Sequence, residues 1–134
     1  MATLNAPSLL DTQYSGDCPL APAHGKYTFA ATPSADKVRL VKLFAGSKIH
    51  DVKAVNAALG ASTTISLGYE YVNGEAGGSA TALLPATSTV SAGANRSAAA
   101  PVELEYDAYI TATVGGGAAT GDLNVVVFYE FQGK

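Results

Sequence analysis

An all-β chain, a single-domain β-sandwich or jelly-roll-like fold with at most short helical turns, is what this sequence predicts, on three observations. Residues 61–72 (ASTTISLGYEYV) place Thr63, Ile65, Leu67, Tyr69 and Tyr71 on one face and Thr64, Ser66, Gly68 and Glu70 on the other, the period-two pattern of a half-buried strand. The apolar fraction of 48% is rich in alanine and valine, with no tryptophan and one methionine, which suits thin layers between packed sheets. Turn residues bound most of the β-prone runs, and neither a heptad nor a longer repeat intervenes.

In chain order, residues 1–25 contain three of the six prolines and singly spaced Leu4, Leu9, Leu10, Tyr14 and Leu20. They read as an extended N-terminal arm, with a disordered terminus as the alternative, its leucines favouring docking on its own domain or on a neighbour, ahead of a sandwich domain over residues 26–134. KYTFAA (26–31) is a short strand ended by the turn Thr32-Pro33-Ser34. KVRLVKLF (37–44) alternates until Val41 and Lys42 break the register, which predicts a strand with a bulge. In SKIHDVKAVN (47–56) the spacing of Ile49, Val52 and Val55 by three sets helix against strand; β-branching favours an irregular strand, with a helical turn at 56–59.

Residues 61–72 are a central strand and NGEAGGSA (73–80) a glycine-rich loop. Residues 79–86 can hold a helical turn before Pro85, and 87–100 form a long surface loop. VELEY (102–106) reads as a strand with one acidic face. DAYITATV (107–114) and DLNVVVFYEFQ (122–132), joined by GGGAATG, are expected to form a hairpin, and Val126 and Phe128 make the second face of the last strand partly apolar.

The net charge of −3 argues against a dedicated nucleic-acid binder, which needs a basic face for phosphates. The charge is uneven: residues 1–69 carry six basic and four acidic side chains, residues 70–134 two and seven. Such asymmetry orients contacts between copies or with a charged partner. The single Cys18 forms no internal disulfide, and no signal peptide or membrane-length apolar run is seen, so a soluble, cytosolically made product with no membrane partner is expected.

No constellation specifies a reaction. The strand-elbow G-x-S-x-G and the phosphate-binding G-x-x-x-x-G-K-[ST] frame are missing, and adjacent His50 and Asp51 point to opposite faces of a strand. Cys18, His24, His50 and Asp51 lack the short spacing of a zinc site, so neither a metal nor a cofactor is expected. Glu103, Glu105 and Asp107 on one strand face read as a solvated acidic surface before they read as a hard-cation site or as paired catalytic acids. Lys37, Arg39 and Lys42 form the opposite-sign cluster, and with the acidic strand they suggest ion pairs between subunits.

The succession KVRLVKLFAGSKIHDV, ALGASTTISLGYE, a glycine-rich loop with LLP, and YDAYITATVGGGAATGDLNVVVFYEF resembles the capsid decoration (cement, head-stabilising) proteins of tailed bacteriophages over residues 25–132. The resemblance implies a small β-sandwich or jelly-roll-like domain on the exterior of the virion. There it would bridge major capsid protein subunits as a dimer or trimer, without enzymatic activity and without direct contact to nucleic acid. The residues expected to touch capsid or sister subunits are Leu4, Leu9, Leu10, Tyr14, Lys37, Arg39, Lys42, Glu103 and Glu105. The alternative from another class is a tail- or fibre-associated carbohydrate-binding module using Tyr69, Tyr71 and Tyr109. A hydrolase built on His50 or the acids at 103–107 ranks below both.

Overall fold

The computed structural model describes residues 1–10 and 20–131. Among these residues every regular element is a strand: β1 (Thr3–Asn5), β2 (Leu20–Thr32), β3 (Lys37–Leu43), β4 (Ser47–Asn56), β5 (Thr64–Tyr71), β6 (Ser79–Ser88), β7 (Gly93–Arg96), β8 (Val102–Glu103), β9 (Ala108–Gly115) and β10 (Ala119–Phe131). They form two sheets. One has the order β1-β3-β9-β5-β6; the other has β2-β10-β4, with β7 and β8 both pairing to β4. All ladders are antiparallel except β1 with β3, which is parallel.

The interior follows from alternation on the two middle strands. Ala108, Ile110, Ala112 and Val114 of β9 and Leu123, Val125, Val127 and Tyr129 of β10 are all buried, and small side chains there let the sheets approach. Phe29, Leu40, Leu43, Leu59, Ile65, Leu67 and Leu104 complete the core, each at most 2% exposed; burying a side chain of this size contributes about 1.5–3 kcal/mol.

Two bulges explain the irregular sequence periods. The β3–β9 register shifts between Arg39 and Val41, so Leu40 is the extra residue, and Leu40 and Val41 are both buried. In β4, Phe128 of β10 pairs with Asp51 and Tyr129 with Ile49, which makes His50 the extra residue. A bulge flips the parity that follows it, so Ile49 and Val52 share the buried face. After the flip the inward positions are Val52, Ala54 and Asn56, and Val55 is exposed, against the spacing-by-three expectation.

Several expectations are corrected. Residues 107–114 and 122–132 do not form a hairpin: β9 and β10 lie in different sheets. Each strand makes both its ladders elsewhere, β9 with β3 and β5 and β10 with β2 and β4, and the connection suits only glycine at 116, where φ is +78° and a Cβ would lie 1.9 Å from the Ser62 carbonyl oxygen. The apolar faces of the two strands therefore oppose each other across the interior. Residues 79–86 are strand, not a helical turn, because pairing to β5 supplies their hydrogen bonds; residues 57–59 are likewise non-helical. The loop expected at 87–100 contains β7, and the strand expected at 102–106 shrinks to β8, since the Leu104 amide donates to Ser47 O and its carbonyl accepts from Gly46 N.

The range read as an arm also differs. Thr3–Asn5 is a sheet strand, and β2 begins at Leu20, so the predicted short strand over 26–31 is the second part of a longer one. Between them, Ala6 N donates to Arg39 O (2.9 Å), Ser8 Oγ to Leu40 O (2.8 Å) and Lys42 N to Leu9 O (2.8 Å). Ser8 Oγ also accepts from Lys26 N (3.2 Å), which ties the segment to both sheets. Tyr14 and Cys18 lie outside the described residues.

Gly68 marks the closest approach of β5 and β6: a Cβ there would lie 1.9 Å from Ser79 O and 2.7 Å from Ala80 Cα. Backbone cannot yield as a flexible side chain does. Gly68→Ala is therefore expected to destabilise the fold by about 1–3 kcal/mol, checked by chemical denaturation of both forms; an unchanged midpoint would refute this packing account.

Candidate functional site

Charge on the outer face of the first sheet is arranged by strand order. Lys37 and Arg39 point outward from β3 ahead of its bulge, and Glu70 points outward from β5, with β9 between them. Across β9, Lys37 Nζ lies 2.7 Å from Glu70 Oε2 and Arg39 Nε 2.7 Å from Glu70 Oε1. The Arg39 guanidinium also stacks 4.5 Å from the centre of the Tyr109 ring. Burial pushes the Glu70 carboxyl up, but hydrogen bonds from Lys37 and Arg39 outweigh it and hold the group below its ordinary value.

The cations expected to meet Glu103 and Glu105 on another subunit are thus occupied within the chain. Lys42 lies 4.0 Å from Asp107 and 5.4 Å from the centre of the Phe44 ring. Glu103 and Glu105 are exposed, whereas Asp107 is half-buried, with Oδ1 accepting from Ala45 N at 2.8 Å. His50 is exposed at its bulge, 3.9 Å from Glu130, and Asp51 turns away to Arg96 at 2.7 Å. That hydrogen bond lowers the Asp51 carboxyl below its ordinary value. His24 bonds Asn124 at 2.9 Å. Among the described residues no group of three or more His, Cys, Asp or Glu side chains is placed to hold a metal.

Leu4 is half-buried against the core, Leu9 is half-buried, and Leu10 is exposed. The tyrosines do not make the single aromatic patch a glycan site needs. Tyr69 and Tyr71 turn to the core side of β5, Tyr71 being 8% exposed, while Tyr109 lies on the opposite face under Arg39. Tyr71 instead sits edge-on to Tyr106 at 5.2 Å and to Tyr69 at 5.6 Å. Beside them the loop at 74–78 forms a shallow groove of about 270 Å³, lined by Tyr69, Glu70 and Glu75 among others.

Glu70 was legible as an outward residue of a strand but not as the partner of Lys37 and Arg39, because no sequence signal reveals that β9 separates β3 from β5. Alternation in 102–106 sets Tyr106 with Val102 and Leu104 on the apolar side, yet Tyr106 is exposed, as is Phe44. An aromatic beside each turn was the available signal.

No protein-family model and no curated protein matches the chain. Solved structures do. A chain of the capsid of Ralstonia phage GP4 superposes with a TM-score of 0.74 at 15% identity, over 98% of this chain and 99% of that one. A chain of the cyanophage Pam1 capsid asymmetric unit gives 0.66 at 20% identity, over 90% of each. A chain of the acid-stable capsid of Helicobacter pylori bacteriophage KHP30 gives 0.61 at 18% identity, over 87% and 90%.

Because the folded-state carboxyl of Glu70 titrates below its ordinary value of 4.5, its stabilising effect is fully present above that value and is lost as pH falls through the lower folded-state value. Glu70→Gln is expected to cost ~1 kcal/mol at pH 7, with the gap between variant and parent closing as the pH falls below about 4.5. Thermal unfolding across pH checks this; a gap that is constant with pH would contradict it. The similar solved structures place the chain in a β-sandwich fold shared with chains of phage capsids.

Proposed function

We propose that this protein is a non-enzymatic structural component of a phage virion, binding the outer surface of the capsid, bridging major capsid protein subunits and stabilising the head. The observation that carries the reading is the mutual coverage of the superposition with the Ralstonia phage GP4 capsid chain, 98% of one and 99% of the other. The similar molecule is a separate chain of this size within a capsid, not one domain of a larger shell protein. An independent resemblance in the order of strand and turn phrases points to the same class of particle.

The physical features suit such a role. Two sheets with a well-packed interior make a rigid platform, and a clamp repeated over a lattice gains avidity from many modest contacts. Exterior placement, self-association as a dimer or trimer, and contacts through the N-terminal segment and loops belong to the same proposal. The carbohydrate-binding alternative loses ground because its three tyrosines do not share a face.

Purified protein added to heads assembled without it is expected to bind saturably, to appear as regular density on the exterior in cryo-electron microscopy, and to raise the temperature at which the heads release DNA. Heads that take up no protein, together with specific glycan capture in an array, would overturn the proposal.

A further inference from the structure

We infer that one end of the sandwich, where the β3–β4, β5–β6 and β8–β9 connections meet, is the docking end, and that it takes a protein surface carrying Lys or Arg beside apolar groups. The inference rests on the proposed virion role and deepens it by assigning which part of the chain meets the shell.

The end is defined by register. Leu43 and Tyr71 both pair with Ala108, Phe131 pairs with Ser47, and Leu20 pairs with Glu130. Leu9 bonds Lys42, which brings Leu10 to the same level. Of the large apolar side chains exposed among the described residues, Leu10, Leu20, Phe44, Tyr106 and Phe131 are therefore all at this end, with Met1, Val55 and Val90 elsewhere. Scattered exposed apolar groups need no explanation, but a cluster at one pole is the pattern of an interaction surface.

That surface is held in shape. Gly46 N donates to Leu104 O (2.9 Å), Leu104 N to Ser47 O (2.8 Å), Val72 N to Asp107 O (2.9 Å), and Ala45 N to Asp107 Oδ1 (2.8 Å). Three connections are thereby fastened to one another, which reduces the ordering cost of binding.

Charge selects the partner. Among the described residues Glu75, Glu103, Glu105, Asp107 and Glu130 lie at this end, with Lys42 and Lys48 as the lysines there, and Asp107 and Glu130 already face Lys42 and His50 at 4.0 and 3.9 Å. The Phe44 and Tyr106 rings add faces suited to cations. A second copy is the poorer occupant, because five of its seven described lysines and arginines, Lys26, Lys37, Arg39, Lys42 and Arg96, are already paired within the chain, and of the other two, Lys48 and Lys53, the first lies at this same acidic end.

The test uses heads assembled without the protein as the probe, with folding of each variant verified by circular dichroism and thermal melting. Wild-type binding comes first; its absence would sink the virion role itself. Given wild-type binding, Phe44→Ser with Tyr106→Ser is expected to weaken it about tenfold or more, while Val90→Ser at the opposite end leaves it unchanged. Glu75→Gln with Glu105→Gln is expected to weaken binding severalfold at low salt and much less at high salt. End variants that bind like wild type, or that alter only the oligomeric state in sedimentation while head binding persists, would overturn the assignment of this end.

Discussion

The constraint on which the rest of the molecule depends is the face-to-face opposition of β9 and β10. Each is an interior strand of its own sheet, and the short link at 116–118 carries the chain directly from one layer to the other. Alanine and valine dominate the opposed faces, so the layers come close enough for the larger side chains around them to fill what remains. Everything outward-facing inherits its position from this pair. Tyr109 and Thr111 sit on the outer side of β9 because Ala108, Ile110 and Ala112 are committed inward.

The bulges at Leu40 and His50 are what reconcile that interior with the charged exterior. Without the first, Lys37 and Arg39 could not face outward while Val41 and Leu43 face inward on the same strand. Glu70 then gathers both cations across β9, converting what would be a repulsive pair into an ion-paired cluster. The outer surface of this sheet is consequently pre-paired, whereas acidic and apolar groups accumulate at the end where the loops meet.

Strand identity was largely legible because it depends on local alternation: residues 61–72 and 37–44 read correctly, the latter with its bulge. What was illegible is non-local. Glycine-rich linkers such as 115–121 look alike whether they fold a hairpin or switch sheets, and only the long-range ladders, β9 with β3 and β5 and β10 with β2 and β4, distinguish the two. Apolar spacing in 79–86 suited a helical turn until pairing with β5 decided it. The acidic run at 103–107 carried perfect alternation, yet Leu104 spends its backbone bonds on the turn at 46–47, so Glu103, Leu104 and Glu105 lie as the alternation expects while Tyr106 is exposed and Asp107 is half-buried. The ion pairing of Glu70 depends on strand order, which one sequence does not encode in any readable form.

The parallel docking of Thr3–Asn5 on β3 has a consequence of its own. Open sheet borders invite further strands, and a protein proposed to be displayed in many neighbouring copies would meet its siblings at high local concentration. The leading segment occupies the border that β3 would otherwise offer, while Pro22 in β2 and Pro85 in β6 interrupt donor rows on two other borders. Crowding can then proceed without the copies fusing into a continuous ribbon, which leaves association under the control of side chains instead of bare peptide groups.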